Sequence, residues 1–372
     1  MGATTGAIWG RAEQQDFRSR VRGTLLGAAV GDALGAAVDG LDLDGIREEH
    51  GADGLVDLAP AYGRRGAVTH LTQLGLFTVD GLIRAQVRRD TGAWHPPTDV
   101  HRAYLRWAAT QRDWGPDERR KDDGWLAREE WLYARRAPAR PLLLGLGDDI
   151  MGTLEAPKNP GAPGPEPAAR SAAFGLLVGW EPQLVAQLAL ECAAQTHGHP
   201  AACLTAGGYA VIVHGLARGE HLDGSVQRAM GLLAARPGHE PVNDALQRAL
   251  GAVRQGIPDP ARVEELSAEG TAEQVLSAAV YCALVAEDVR HGLRLAANQG
   301  GPSAATACLT GGLLGALHGE TALPPAWLAE LEGRPTILEL ADDFAMEMTQ
   351  GPALHGPTGS SPGWLARYPR TP

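Results

Sequence analysis

Apolar residues recur at helical spacing over most of this chain. The pattern is first clear from Phe17, where Phe17, Val21, Leu25 and Ala28 fall at i, i+4, i+8 and i+11 on one helix face. Gly23, Gly27, Gly31 and Gly35 recur every fourth residue of the same segment, and Gly311, Gly315 and Gly319 repeat the device near the other end. Each glycine inside a helix costs about 0.5–1 kcal/mol relative to alanine. Two rows in register therefore predict two central helices of one bundle, where another helix or a ligand approaches the backbone closely. Coincidence among the 48 glycines is the competing explanation.

The middle of the chain carries the same signal. Residues 180–193 and 201–217 are Ala-rich with apolar positions at helix spacing, and Pro200 stands where a helix-opening proline would. Residues 271–289 predict one long apolar helix opening at Thr271. Alternating β-branched runs are few and short, so strand signals are sparse. Three stretches read as irregular: charged 112–121 with a Gly-Pro turn, Pro/Gly-rich 155–167, and the tail from 351. The expectation is an all-α, compact, multi-helix orthogonal bundle forming one domain over 17–350. A loose N-terminus (1–16) precedes it, and a Pro/Gly-rich C-terminal tail (351–372) runs over its surface.

Composition mainly removes options. Hydrophobic residues are 44% and charged residues 21%, enough to bury a large core. A net charge of −11 opposes non-specific attraction to nucleic acid or anionic lipid. Cys192, Cys203, Cys282 and Cys308 form no Cys-x-x-Cys pair and lie in apolar stretches, as free thiols in a reducing compartment would. The first residues lack an apolar core of signal-peptide length, and no run reaches the ~18 apolar residues of a membrane span. A cytoplasmic protein without nucleic-acid or membrane partners is expected. Between 94 and 136, Trp94, Trp107, Trp114, Trp125 and Trp131 stand among arginines and balancing acids. They read equally as core or as a surface for a protein partner.

Four segments carry the chemistry. They are Gly31-Asp32-Ala33-Leu34-Gly35, Thr69-His70-Leu71-Thr72-Gln73, Thr196-His197-Gly198-His199-Pro200, and Asn298-Gln299-Gly300-Gly301-Pro302-Ser303-Ala304-Ala305. Together, over roughly residues 23–327, they resemble the ADP-ribosylglycohydrolase family, which includes the dinitrogen reductase-activating glycohydrolases. The resemblance implies the all-α fold of that family. It also implies a cleft where two Mg²⁺ ions grip the ribose of ADP-ribose, and a carboxylate with a metal-bound water cleaves the bond to the modified side chain. Family enzymes carry Thr-Asp-Asp-Thr at the second segment and Gly-Gly-Asp-x-Asp-Thr/Ser at the fourth. Here His70, Leu71, Pro302 and Ala304 stand in place of the four aspartates, and Ala305 replaces the last hydroxyl. Mg²⁺ needs oxygen ligands, chiefly carboxylates, and two dications without compensating charge repel each other. No metal ligand and no cofactor is therefore expected.

Asp39 falls where the family often has a metal-binding Glu. It is either a displaced acid/base group or a solvated acid opening the loop 39–44. Asp32 lies between glycines on an apolar helix and should be hydrogen-bonded to backbone amides or a hydroxyl, because an unpaired buried carboxylate is costly. His70 reads as a neutral hydrogen-bonding group facing a ligand or as a satisfied core residue. A zinc site with His197 and His199 is a third reading. Asp39 and His70 are thus the catalytic candidates. Thr69, Gln73, Arg170, His197, Asn298, Gly300, Gly301 and Ser303 are the ligand-binding candidates. The Gly300-Gly301 turn offers amides that can cradle a phosphate. The segment 164–170 stands where the family has a diphosphate-contacting loop. It keeps Arg170 in register, but Pro165 and Pro167 remove donors and Glu166 adds an anion.

The expected function is an ADP-ribosylglycohydrolase-like pseudoenzyme that has lost two-metal hydrolysis. It would bind an ADP-ribose-like or other small ligand, or a protein partner. One rival is a hydrolase of N- or O-glycosidic bonds with a centre rewired around Asp39, His70 and His197. The other is a scaffold using the region 94–136.

Overall fold

Two helix backbones touch where the glycine rows meet. The computed structural model describes residues 9–89, 94–112, 124–356 and 361–370. In it the helix from Arg11 to Gly35 runs against the helix from Ser303 to His318. A methyl group on Gly23, Gly27, Gly31 or Gly35 would collide with the backbone at Gly315, Gly311, Ala307 or Ser303 respectively. Gly311 and Gly315 make the same demand in return at Gly27 and Gly23. The four-residue glycine period therefore builds an antiparallel seam too tight for any side chain. This seam is the axis of the fold.

The remaining elements wrap it. After α1 (Arg11–Gly35) comes α2 (Leu43–His50), opened by Asp42, whose Oδ1 accepts the Gly45 amide at 2.8 Å. A minimal antiparallel hairpin, β1 (Pro60–Ala61) with β2 (Arg64–Arg65), is the sole sheet among the described residues. Then follow α3 (His70–Arg88), α4 (Pro96–Thr110), two 3₁₀ turns at Trp125–Arg128 and Glu130–Tyr133, and α5 (Arg140–Gly145). Two short helices, α6 (Glu166–Arg170) and α7 (Ala172–Gly175), lead into α8 (Pro182–Ala194), α9 (Pro200–Ala217) and α10 (Leu222–Leu233). Next are α11 (Glu240–Ala252), α12 (Pro260–Leu266), α13 (Ala272–Val285) and α14 (Val289–Ala297). The chain ends with α15 (Ser303–His318), α16 (Pro325–Glu330), α17 (Arg334–His355) and α18 (Pro362–Arg367). Proline opens α4, α8, α9 and α12, where its missing N–H leaves nothing unsatisfied. Helix α9 is long and apolar enough to cross a membrane, but it is 94% buried within the fold and acts as a core helix.

The all-α expectation holds, and several boundaries move. Helix α1 starts at Arg11 rather than Phe17, and Trp9 stacks on Phe17 at 5.2 Å, so residues 9–16 are not loose. Residues 1–8 lie outside the described set. The predicted 271–289 helix is two helices, because residues 286–288 leave the helix and Asp288 Oδ1 caps α14 through the His291 amide at 2.7 Å. The tail also does more than cover the surface. Helix α17 continues to His355, and α18 buries Trp364 and places Tyr368 in the core. Trp364 Nε1 donates to Glu347 at 3.0 Å and the Tyr368 hydroxyl to Asp343 at 2.6 Å.

In the tryptophan-rich region, Trp107 and Trp125 are buried, with Arg367 stacked on Trp125 at 3.7 Å. Trp94 is 40% exposed and meets Trp180 edge-on. Trp114 lies outside the described residues. The neighbouring arginines are tied down by acids: Arg84 by Asp80 at 3.1 Å, and Arg88 by Asp99 at 2.5 Å. All four cysteines are free and buried, as expected.

Candidate functional site

The seam fixes where the chemistry sits. It ends at Gly35 and Ser303, so the loop after α1 and the N-terminus of α15 emerge side by side, next to the N-terminus of α3. The first groups there are spent on holding these termini together. Asp32 is wholly buried on α1 and faces α3. Its Oδ1 accepts the Thr69 hydroxyl at 2.7 Å, and its Oδ2 accepts the Thr69 amide at 2.9 Å, the Thr72 amide at 3.2 Å and the Thr72 hydroxyl at 2.5 Å. Burial pushes its pKa up to about 6 even though all four hydrogen bonds pull the other way. Asp32 is a structural clamp that caps α3 from a neighbouring helix.

Asp39 does for α15 what Asp32 does for α3. Its Oδ1 accepts the Ala304 amide at 2.9 Å. The pKa of Asp39 is raised, chiefly by desolvation and also by the charge of Glu166, against the pull of the Ala304 and Ser303 amides. The adjacent backbones interlock: the Gly40 amide donates to Gly301 O at 3.0 Å, and the Gly301 amide to Leu41 O at 3.0 Å. Gly300 has φ +69, and a Cβ there would stand 2.7 Å from the Leu43 nitrogen, so both the turn and the close approach require glycine.

His70 opens α3. Its Nδ1 lies 3.1 Å from the Arg136 carbonyl, an arrangement that puts the proton on Nδ1 and leaves Nε2 as a lone pair. Nε2 is buried and has no hydrogen-bond partner. Burial holds this imidazole below its usual pKa despite the charge of Glu166. Glu166, the first residue of α6, lies with Oε2 3.0 Å from Nε2 of the wholly buried His197. Burial pushes Glu166 up, but the hydrogen bond and charge of His197, its own amide and the charge of His70 bring it below the usual carboxyl value. Behind it a polar chain runs inward: His197 Nδ1 is 3.0 Å from Thr196 Oγ1, which accepts Arg170 Nη2 at 2.7 Å. At the mouth, Tyr62 occupies the hairpin tip at φ 51, 48% exposed, with the Arg136 guanidinium 4.9 Å from its ring centre. Burial raises the pKa of this phenol, and the charges of Asp32 and Asp39 raise it further.

The sequence profile of ADP-ribosylglycohydrolases matches residues 13–353. The chain belongs to the ADP-ribosylglycohydrolase family. A solved structure described as an "ADP-ribosylglycohydrolase-related protein complex" is similar in fold, with a TM-score of 0.64 and 23% identity; the match covers 90% of this chain and 100% of that one. No curated protein matches.

Set in the ADP-ribosylglycohydrolase frame, the predicted site residues divide into two groups. Asp39, His70, His197 and Ser303 converge on the cleft; Ser303 is wholly buried and its Oγ has no partner. Several others serve the fold. Thr69 is consumed by Asp32 and by the Leu71 amide, which it accepts at 3.1 Å. Gln73 is wholly buried: its Nε2 donates to Ala134 O at 2.9 Å, and its Oε1 accepts Gln111 Nε2 at 3.3 Å. Asn298 pins residue 55 by accepting the Leu55 amide at 2.6 Å and donating to its carbonyl at 2.9 Å. Arg170 points into the core, with Nη2 donating to Cys192 O at 3.0 Å and the guanidinium 4.7 Å from the Tyr104 ring centre. The Gly301 amide is paired with Leu41, so it is not free to cradle a phosphate. For Thr69, Gln73, Asn298, Arg170 and Gly301, family register identified the position and burial gave it a structural task.

Sequence reading gave Glu166 no role beyond an unwelcome anion. The signal that could have placed it was its position opposite the Thr-His segment within the same resemblance.

The four positions matched to the family's aspartates carry no carboxylate in this chain. Leu71 is buried and lines a small cavity of about 20 Å³ with Leu25, Ala29 and Cys308. Pro302 and Ala304 offer no side-chain oxygen, and one Asp39 oxygen is engaged by the α15 amide. Among the described residues no group of three or more His, Cys, Asp or Glu is arranged to hold a metal ion. A separate open groove of about 1020 Å³ lies between Trp9, Phe17, Trp180 and Arg218. Its Arg228 is paired with Glu220, and it shares none of the cleft's unpartnered polar atoms.

Proposed function

We propose that this ADP-ribosylglycohydrolase-family protein is a pseudoenzyme with respect to two-metal hydrolysis and that its inherited cleft binds a small ligand. One observation carries the reading. At the N-termini of α3 and α15, where the resemblance puts four carboxylates, stand an imidazole anchored to the Arg136 carbonyl, a buried Leu71, and the side chains of Pro302 and Ala304. The acids that remain nearby have other work: Asp32 caps α3, Asp39 caps α15, and Glu166 faces His197. Two buried polar atoms there, His70 Nε2 and Ser303 Oγ, nevertheless have no hydrogen-bond partner, which supports a ligand or water at this place.

The test is incubation with ADP-ribosyl-arginine and ADP-ribosyl-serine substrates, with and without Mg²⁺, beside calorimetry with small ligands. The reading expects ligand heat without metal-dependent release of ADP-ribose. Metal-dependent release would favour an active hydrolase with a rewired centre instead.

A further inference from the structure

The open groove at the start of α1 is walled by aromatic rings. Its volume is about 1020 Å³, and Trp9, Phe17 and Trp180 line it, with the end of α9 closing one side at Ala217 and Arg218. Trp9 packs on Phe17 at 5.2 Å, and Trp180 meets Trp94 edge-on at 5.6 Å. Both lining indoles are thus braced from behind, yet each stays half-buried and in contact with the open space. Braced tryptophans of this kind carry much of the energy of protein interfaces.

Four carboxylates line the groove, Glu13, Asp16, Glu181 and Glu220, against the guanidinium groups of Arg218 and Arg228. The bases are already engaged. Arg228 pairs with Glu220, Arg218 Nη1 donates to the Val178 carbonyl at 2.7 Å, and Arg20 pairs with Asp16 at 2.8 Å. Glu13 and Glu181 are exposed and enter no ion pair among the described residues. Glu13 accepts the Gly10 amide at 2.9 Å, and the Glu181 side chain caps nothing at the start of α8. Even with Arg20 counted, the acids outnumber the bases. The N-termini of α1 and α8 and the C-terminus of α9 also open here, but partial charges of about half a unit each, two against one in sign, do not cancel that excess.

Any occupant of the groove takes Glu13 and Glu181 out of water. A neutral one would leave two desolvated carboxylates unpaired, which is costly, and an anion would add repulsion. A cation completes them. Guanidinium fits better than ammonium, because its plane stacks on an indole and its fork of N–H donors meets a carboxylate with two bonds. The volume is at the upper end for a single small ligand, and the groove is open rather than enclosed, so an extended chain fits it better. A net charge of −11 also steers a basic partner toward this chain.

We propose that this groove docks an extended, arginine-bearing peptide segment of a partner protein, with guanidinium groups stacked on Trp9 or Trp180 and paired with Glu13 and Glu181. The proposal is independent of the cleft at the other end of α1. Its test titrates the full chain into a fluorescein-labelled peptide of alternating glycine and arginine, about nine residues long, and follows anisotropy. Matched peptides with lysine or glutamate in place of arginine are the comparisons. The arginine peptide should bind at least about threefold more tightly than the lysine peptide, and the glutamate peptide should not bind.

Two variants with the same change of charge locate the contact. Glu181→Lys, at an exposed position whose side chain holds nothing in the fold, should weaken arginine-peptide binding by at least about tenfold. Glu48→Lys lies on α2, beyond the far end of α1, and should change it by less than about threefold. No binding of the arginine peptide, or equal binding of the lysine or glutamate peptide, overturns the proposal. So does a Glu48→Lys loss as large as that of Glu181→Lys, which would mark attraction to the net charge alone.

Discussion

Asp32 on α1 closes the N-terminus of α3 through Thr72, whose hydroxyl lies 2.5 Å from the Asp32 Oδ2. The contact joins the glycine seam to the helix that presents His70, so the position of the cleft depends on a buried carboxylate. That carboxylate is raised to about 6 from an ordinary 3.8. Between those values the folded state holds a proton that the unfolded chain has released. The contribution of Asp32 to stability is therefore fully present below about pH 4 and lost as pH rises through 6, on the order of 3 kcal/mol in all. Urea unfolding of wild type and Asp32→Asn across pH 4 to 7 should show the difference between them shrinking as pH rises. A difference that stays constant would contradict the assignment.

The glycine seam predicts two substitutions of opposite sign. Gly31→Ala drives a methyl group into the backbone at Ala307, which cannot yield as a flexible side chain can. A loss of at least about 3 kcal/mol is expected, at the upper end for overpacking. Gly231 is also helical, in α10, but nothing lies within 4 Å of a Cβ built there. Gly231→Ala should therefore stabilise by about 0.5–1 kcal/mol. Denaturant midpoints of the two variants, moving in opposite directions, are the check.

Asn298 tests the reassignment of a predicted ligand-binding residue to the fold. Its side-chain amide makes hydrogen bonds with the Leu55 amide, the Leu55 carbonyl and the Arg294 carbonyl. Asn298→Ala leaves the Leu55 groups unsatisfied and should cost about 2–4 kcal/mol. Thermal unfolding would register the loss. An unchanged melting temperature would return Asn298 to the list of ligand contacts.

Tyr62 sits in a left-handed conformation that an aromatic side chain rarely adopts, followed by Gly63 at φ +82. A two-residue hairpin with both φ values positive favours asparagine at the first position. Tyr62→Asn is expected to raise stability by about 0.5–1 kcal/mol, read as a higher denaturant midpoint. An unchanged or lower midpoint would contradict the turn assignment.

Features set by local spacing were the ones legible in the sequence. The four-residue glycine period gave the central seam, and Pro200 gave the start of α9. The Gly-Asp pair around Asp32 gave a carboxylate bound to amides and hydroxyls, as found. Features set by the direction of a side chain in three dimensions were not legible. Arg170 kept its place in the family register, but Tyr104 and Thr196 draw it inward from the other side. Glu166 looked like a loop acid because its partner, His197, lies 31 positions away along the chain. The break before α14 was missed for another reason: Ala286-Glu287-Asp288 interrupts the apolar run for too short a stretch to look like a loop, and only the capping by Asp288 marks the new start.

The central claim is that this cleft no longer houses a pair of divalent cations. Its most direct test is a Mn²⁺ titration of the purified chain, followed by electron paramagnetic resonance to count bound ions. The account predicts no saturable uptake at millimolar ion. Two ions bound per chain, lost on Asp39→Asn or Glu166→Gln, would contradict it.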